Sequence, residues 1–248
     1  MLKTKFNYIF LLIIVIFISC NKENNCDCIK STGDIIFQKR DINSFNTISL
    51  SDNINLYITQ DTIFSLTIEA GANLLKLIKT DVIDTCLYIQ NKNTCNWVRS
   101  FKNKINIYLK CKEINFLKYN NASGNIYTSD TLHSKYFQFD SNDGTGDINL
   151  TINANSSWFN LHTGPAMLNV NGISGVNYLY SAGNGLADLR NLITGYTFMN
   201  NKSTNNCFVN VQQELEVKIG YVGDVYYTGN PYVINTQING SGKLININ

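Results

Sequence analysis

The sequence predicts an all-β chain wound as a parallel β-helix, and three observations carry that reading. Apolar residues alternate with polar ones nearly everywhere beyond Gln38. Ile54-x-Leu56-x-Ile58, Leu66-x-Ile68, Ile105-x-Ile107-x-Leu109, Ile148-x-Leu150-x-Ile152 and Leu215-x-Val217-x-Ile219 all have period 2. Such a period puts one face of a strand inward and the other outward. Second, the later half repeats: a glycine followed by a short apolar strand recurs at Gly124, Gly146, Gly164, Gly185, Gly223 and Gly242, with Asn206 filling the one gap. Intervals run from 17 to 22 residues and average about 20. Stacked coils give such a period, because one coil alone cannot bury its apolar face. A β-sandwich, the competing architecture, expects turns nearer every 10 residues. Third, helical periodicity is confined to Ala72–Lys79, for two turns at most. Rungs stack at strand spacing, so six intervals predict a rod of roughly 30 Å.

Composition narrows the classes of function. The chain has 248 residues, 44% hydrophobic, 12% aromatic and 15% charged, a mixture too apolar for a disordered chain. Its formal charge is +2; without Lys3 and Lys5 it falls to 0. A neutral chain without a basic stripe lacks the phosphate-neutralising charge of a nucleic-acid binder. Asn and Ile are abundant and Arg is scarce, as drift toward AT-rich codons would give; Asn ladders inside a solenoid are compatible with it.

The N-terminus reads as an export signal. Lys3 and Lys5 precede the unbroken apolar run Ile9–Ile18, about half the roughly 20 residues needed to span a bilayer. The closing Phe17-Ile18-Ser19-Cys20 resembles the lipobox of bacterial lipoproteins, which implies a diacylated (palmitate-bearing) Cys20 as first residue of the mature chain and lipid anchor to the membrane. The expected division is a signal peptide over 1–19, a lipidated Cys20 and flexible tether over 20–37, and a β-helical domain over 38–248. The expected location is the cell envelope, as an outer-membrane lipoprotein facing the periplasm or the surface. In an oxidising compartment disulfides are permitted, and six further cysteines allow 15 pairings. Cys86 and Cys95 flank LYIQNKNT, which could be a short hairpin, and form the first pair to test. Cys26-x-Cys28 lacks a second pair at zinc spacing, so no metal and no cofactor are expected.

At the C-terminal end, Tyr221-Val222-Gly223-Asp224-Val225-Tyr226-Tyr227-Thr228-Gly229-Asn230-Pro231 and Asn239-Gly240-Ser241-Gly242-Lys243-Leu244 resemble the signature of the head GIN domain family, auto-transporter-adhesin-like domains of exported bacterial proteins and a domain of unknown function. Arg40-x4-Phe45-x2-Ile48, Ile54–Gln60, Leu66-x-Ile68-Glu69 and Leu87-x-Ile89 follow in the family's order. The resemblance covers about Gln38 to Ile245. It implies a right-handed β-helical (β-solenoid) domain in a lipoprotein context, and no proven activity.

Candidate chemistry is sparse. His133 and His162 are the only histidines, both near turns, which leaves little for a nucleophile–base pair. Asp147, Asp188 and Asp224 adjoin corner glycines, where Asp stabilises turns. Asn142–Asp147 faintly resembles a calcium loop but occurs once, so turn chemistry explains it. No catalytic set is therefore expected, with a polysaccharide hydrolase or lyase and an inert envelope spacer as alternatives. The ligand-facing candidates are aromatic: Tyr178 and Tyr180 alternate, adjacent Tyr226 and Tyr227 must point to opposite faces, and Trp97 and Trp158 lie near turns. The expected role is adhesion or ligand binding, with a glycan or an envelope or extracellular protein as partner. An open β-helix end also makes self-association an expectation.

Overall fold

The computed structural model describes residues 31–94 and 104–248. Among the described residues seventeen strands account for 67% and wind into a β-solenoid of about 7 turns. They are β1 Ile35–Arg40, β2 Thr47–Asp52, β3 Asn55–Gln60, β4 Ser65–Gly71, β5 Ile78–Ile83, β6 Cys86–Asn91, β7 Asn106–Cys111, β8 Phe116–Ala122 and β9 Ile126–Thr128. Then come β10 Leu132–Asn142, β11 Asp147–Leu161, β12 Met167–Gly183, β13 Leu186–Ser203, β14 Cys207–Ile219, β15 Val225–Thr228, β16 Val233–Ile238 and β17 Leu244–Asn246.

Two parallel ladders run the length of the rod. The first joins β7, β3, β9, the leading halves of β11 to β14, β15 and β17. The second joins β6, β2, β8, the trailing halves of β10 to β14, and β16. Consecutive rungs are offset by 20 residues in the middle, as Trp158 opposite Tyr178 and Tyr178 opposite Phe198 show. Inward residues of both ladders meet in one core that fully buries Leu56, Ile107, Phe137, Phe139, Phe159, Leu179 and Val217. Burying each such side chain stabilises the fold by roughly 1.5–3 kcal/mol.

The glycine repeat marks places where one rung's backbone lies against the next. A Cβ on Gly146 would stand 2.3 Å from the Gly124 carbonyl oxygen, and one on Gly242 would stand 2.3 Å from that of Gly223. Asn and Asp side chains tie the same corners together. The Asn55, Asn125 and Asn206 amide oxygens accept from the N–H groups of Asn125, Asp147 and Asp224, and Asp224 Oδ1 accepts from Lys243 N. Side-chain ladders (Asn169 to Asn149 at 3.2 Å, Asn142 to Asn120 at 3.0 Å) use further Asn residues. Asn abundance therefore has a structural use alongside any codon bias.

A polar seam runs through the interior at the bend between ladders. Ser157 Oγ lies 2.9 Å from Ser174 Oγ and 3.0 Å from Asn177 Oδ1, within hydrogen-bond reach of both; Thr194 and Thr197 hydroxyls meet at 2.8 Å, and Thr194 Oγ1 donates to the Asn210 carbonyl. All are buried, so each bond satisfies a group that water cannot reach.

The N-terminal third departs from the simple winding. β2 lies between β6 and β8, so a rung 39 residues later in sequence stacks outside it. Antiparallel strands close this end: β4 pairs with β7, β1 with β4, and β5 with β6. Two expectations are corrected here. Ala72–Lys79 is no two-turn helix but a single 3-10 turn, Leu75–Leu77, running into β5; Leu74 and Leu75 are spent as a lid on the core and Ile78 pairs across to Asn91. Cys86–Asn91 is one strand rather than the first arm of a hairpin closing at Cys95. Its antiparallel partner precedes it, through Asp84-Thr85, whose φ values of 48° and 62° suit a two-residue hairpin turn.

Candidate ligand-binding surface

The outward side of each ladder carries a row of aromatic residues held by the parallel register. On the second ladder Phe116, Gln138, Trp158, Tyr178, Phe198 and Glu216 share a row, with Tyr136, Val176 and Tyr196 in the row beside it. Trp158 and Tyr178 stack at 5.4 Å and 8° between planes. Tyr136 follows Trp158 at 6.4 Å, and Tyr178 meets Tyr196 at 6.2 Å and Phe198 at 6.4 Å. Rung spacing sets these distances; only Trp158 and Tyr178 lie face to face, and the other pairs are turned 45° to 66° from one another. Lysines close the stripe: Lys135 lies over Tyr136, Lys118 over Phe116 and Lys218 over Phe198. The Tyr196 hydroxyl donates to Glu216, and burial together with that bond pushes its pKa up to about 12, so it remains a donor.

The first ladder carries a second row: Tyr108, Tyr57, Tyr127, Asn149, Asn169, Asp188, Phe208 and Tyr226. The first three rings stack at 5.1 and 5.2 Å. Phe208 stacks on Tyr226 at 4.9 Å with the Arg190 guanidinium over its ring, itself paired to Asp188. Tyr108 donates to Glu69 Oε2 at 2.8 Å.

The sequence-predicted residues divide accordingly. Tyr178 lies in the middle of the second-ladder stripe, 37% exposed. Tyr180 is half-buried beside His162, with ring centroids 5.5 Å apart. Tyr226 faces outward on Phe208, while Tyr227 turns inward and packs on the core, so only one of that pair is available to a ligand. Cys86 is a buried free thiol; Cys20, Cys95 and Trp97 lie outside the described residues. The loop residue Asp143 spends its N–H on Thr163 Oγ1. Among the described residues no three His, Cys, Asp or Glu side chains gather as a metal site. Sequence reasoning missed Tyr57, Tyr108, Tyr127, Tyr136, Tyr196, Phe198 and Phe208. The signal was present, since Trp158, Tyr178 and Phe198 stand 20 residues apart.

One open cleft of about 990 Å³ lies at the outward ends of β3 and β7, lined by Gln60, Asp61, Thr62, Lys112, Asp130, Thr131 and His133. The Gln60 amide grips the His133 backbone and fixes its floor. The Lys110 ammonium holds the Asp61 carboxyl below its ordinary range, so it stays ionised.

The chain is a two-ladder solenoid with outward aromatic rows, and comparison with other proteins gives it a family. Residues 44–231 match the family described as "Putative auto-transporter adhesin, head GIN domain", and the chain belongs to that family. Membership suggests an adhesin-like or binding role at the cell envelope or surface. Among curated proteins none matches. The fold is shared with a "putative adhesin" of Bacteroides fragilis (TM-score 0.78, 20% identity, covering 86% of this chain and 97% of that one). It is shared also with a "putative lipid binding protein" of Parabacteroides distasonis (TM-score 0.65, 16% identity, 88% and 98%). A third similar structure is a "putative adhesin" of Parabacteroides merdae (TM-score 0.60, 16% identity, 89% and 99%).

The family's sequence landmarks turn out to be structural. Arg40 donates to the carbonyls of Leu75 and Ile78 and ties β1 to the cap, Phe45 packs on Phe64, and Gly223, Asp224 and Gly242 lock the last corners together.

Proposed function

We propose that this protein is a lipid-anchored, non-enzymatic component of the cell envelope that works as an adhesion or ligand-binding module. The observation that carries the reading is the second-ladder stripe, Tyr136–Trp158–Tyr178–Tyr196/Phe198, with Tyr136 and Tyr178 exposed and the others half-buried, rimmed by Gln138, Asn160 and Lys218. The rings follow one another a rung apart, so a partner meets aromatic surface, hydroxyls and amides in a line parallel to the rod. That geometry suits an extended polymer, an envelope polysaccharide or a protein strand, better than a small molecule. The N-terminal sequence supports anchoring through Cys20.

The test is binding of the purified protein to a panel of envelope polysaccharides, matrix proteins and envelope fractions. Replacing Trp158 and Tyr178 together by Ala is expected to weaken binding at least tenfold with the β-sheet circular dichroism retained. No binding to any member of the panel overturns the reading. Palmitate labelling lost on Cys20→Ser tests the anchor, and loss of a C-terminal tag when intact cells meet external protease tests surface exposure.

The cleft supports a second reading, a glycan-active enzyme, because it gathers Asp61, Asp130 and His133. Turnover of an envelope polysaccharide abolished by Asp130→Asn would establish it; the fold alone does not.

A further inference from the structure

The two ends of the rod are finished differently. At the N-terminal end the outer strands β1 and β5 carry Lys39, Arg40, Lys79 and Asp81 over a buried core, although β1 also exposes Ile35, Ile36 and Phe37 along its free edge. Charges on edge strands are the usual guard against pairing with another chain. At the other end, among the described residues, β16 pairs only with β14, and β17 only with β15. One side of each therefore presents free backbone N–H and C=O groups. Ile234 and Ile238 stand in register above the fully buried Leu215 and Ile219, yet they are 41% and 47% exposed, because none of the described residues covers them. Neither edge strand (VINTQI, LIN) contains a charge, and over Gly229–Asn248 Lys243 is the only charged side chain.

We propose that this end is a self-association surface, where two copies join tip to tip by antiparallel pairing of β16 with β16 across a two-fold axis. Such an interface sets each residue's patch against the same patch, so it must be self-complementary. A charged edge strand would oppose like charges; β16, which carries none, does not. Antiparallel pairing sets Asn235, Thr236 and Gln237 against the same three residues of the second copy in reverse order, and each can both donate and accept. Pairing satisfies the free edge and covers Ile234 and Ile238, completing a core that the single chain leaves open.

The junction has a consequence for the proposed anchored protein. Ser31 and Thr32 lie against Asn73 and Gly71 at the opposite end. Two rods of about 7 turns joined at their tips hold their N-terminal segments roughly 70 Å apart and facing away from each other. If Cys20 is lipidated, the pair bridges two opposed membranes. The association itself does not depend on lipidation or on any ligand.

Sedimentation of the whole chain in mild detergent tests the proposal. The expected result is a reversible monomer–dimer equilibrium in the micromolar range. Ile238→Lys sets like charges across the axis and is expected to weaken it at least tenfold, leaving circular dichroism unchanged. Asn235→Lys, on the outward face and away from the core, is expected to do the same and keeps the test decisive if the first variant misfolds. Lys39→Ala, at the far end, is expected to change nothing. A chain that stays monomeric to about 100 µM, or a dimer indifferent to both Lys substitutions, overturns it.

Discussion

Tyr119 is where single atoms hold the winding together. It is fully buried; its hydroxyl donates to the Gly124 carbonyl at 2.7 Å and accepts from Gly146 N at 2.9 Å, and its ring lies under Gly144. Tyr119→Phe keeps the packing but leaves a buried carbonyl and a buried N–H without partners, at a cost of about 1–3 kcal/mol, read as a lower urea midpoint. Burial also pushes the Tyr119 hydroxyl and the Cys111 and Cys207 thiols up to about 12. These groups keep their protons in the fold beyond the pH at which the unfolded chain releases them, near 9 for the thiols and 10 for the phenol. The folded state then binds more protons, so stability falls as pH rises from about 9 to about 12 and is whole below that window. The expected observation is a urea midpoint unchanged between pH 7 and 8 and clearly lower at pH 10.5. In the native protein at pH 8, neither Cys111 nor Cys207 should react with a thiol reagent until denaturant is added.

Strands and corners show which parts of the architecture a sequence displays. Alternation and corner glycines are local signals: a Cβ on Gly146 would overlap the backbone below, so the rung length is written into the chain. Gly146→Ala should therefore destabilise by about 1–3 kcal/mol or more, as an overpacked site does, whereas Gly220→Ala should be nearly neutral. At Gly220 the nearest atom to the added methyl is the side-chain Cγ of Lys202 at 3.3 Å, free to give way. Both changes are measured by denaturant midpoint. The order of the first rungs was not legible, because β2 chooses β6 and β8 through contacts 39 and 69 residues away that no local pattern records. The same holds for the buried Ser157–Asn177–Thr197 seam, whose residues read as outward or turn positions until the bend turns them inward. Of the candidate surface, Tyr178 and Tyr226 could be read from alternation. The rows around them required laying the rungs over one another at 20-residue steps.

At the scale of the whole rod, each rung contacts only its neighbours, so local stability should follow position along the stack. β11, β12 and β13 are long, paired on both sides in both ladders and packed on the aromatic core. Their amides should open only with global unfolding. β16 and β17 have one partner each and little buried surface, so they should exchange through local fraying at much lower cost. At the other end, β4, β5 and the Leu74–Leu75 lid bury the terminal core, and the first rungs should be protected despite their irregular order. Native-state hydrogen exchange distinguishes this gradient from uniform protection. Repeating it across protein concentration separates two origins for any protection at the tip. A strand stabilised within its own chain exchanges at the same rate at every concentration. A strand sheltered by a second copy slows as concentration rises, and the proposed junction places that slowing at Val233–Ile238, whose free edge carries no charge.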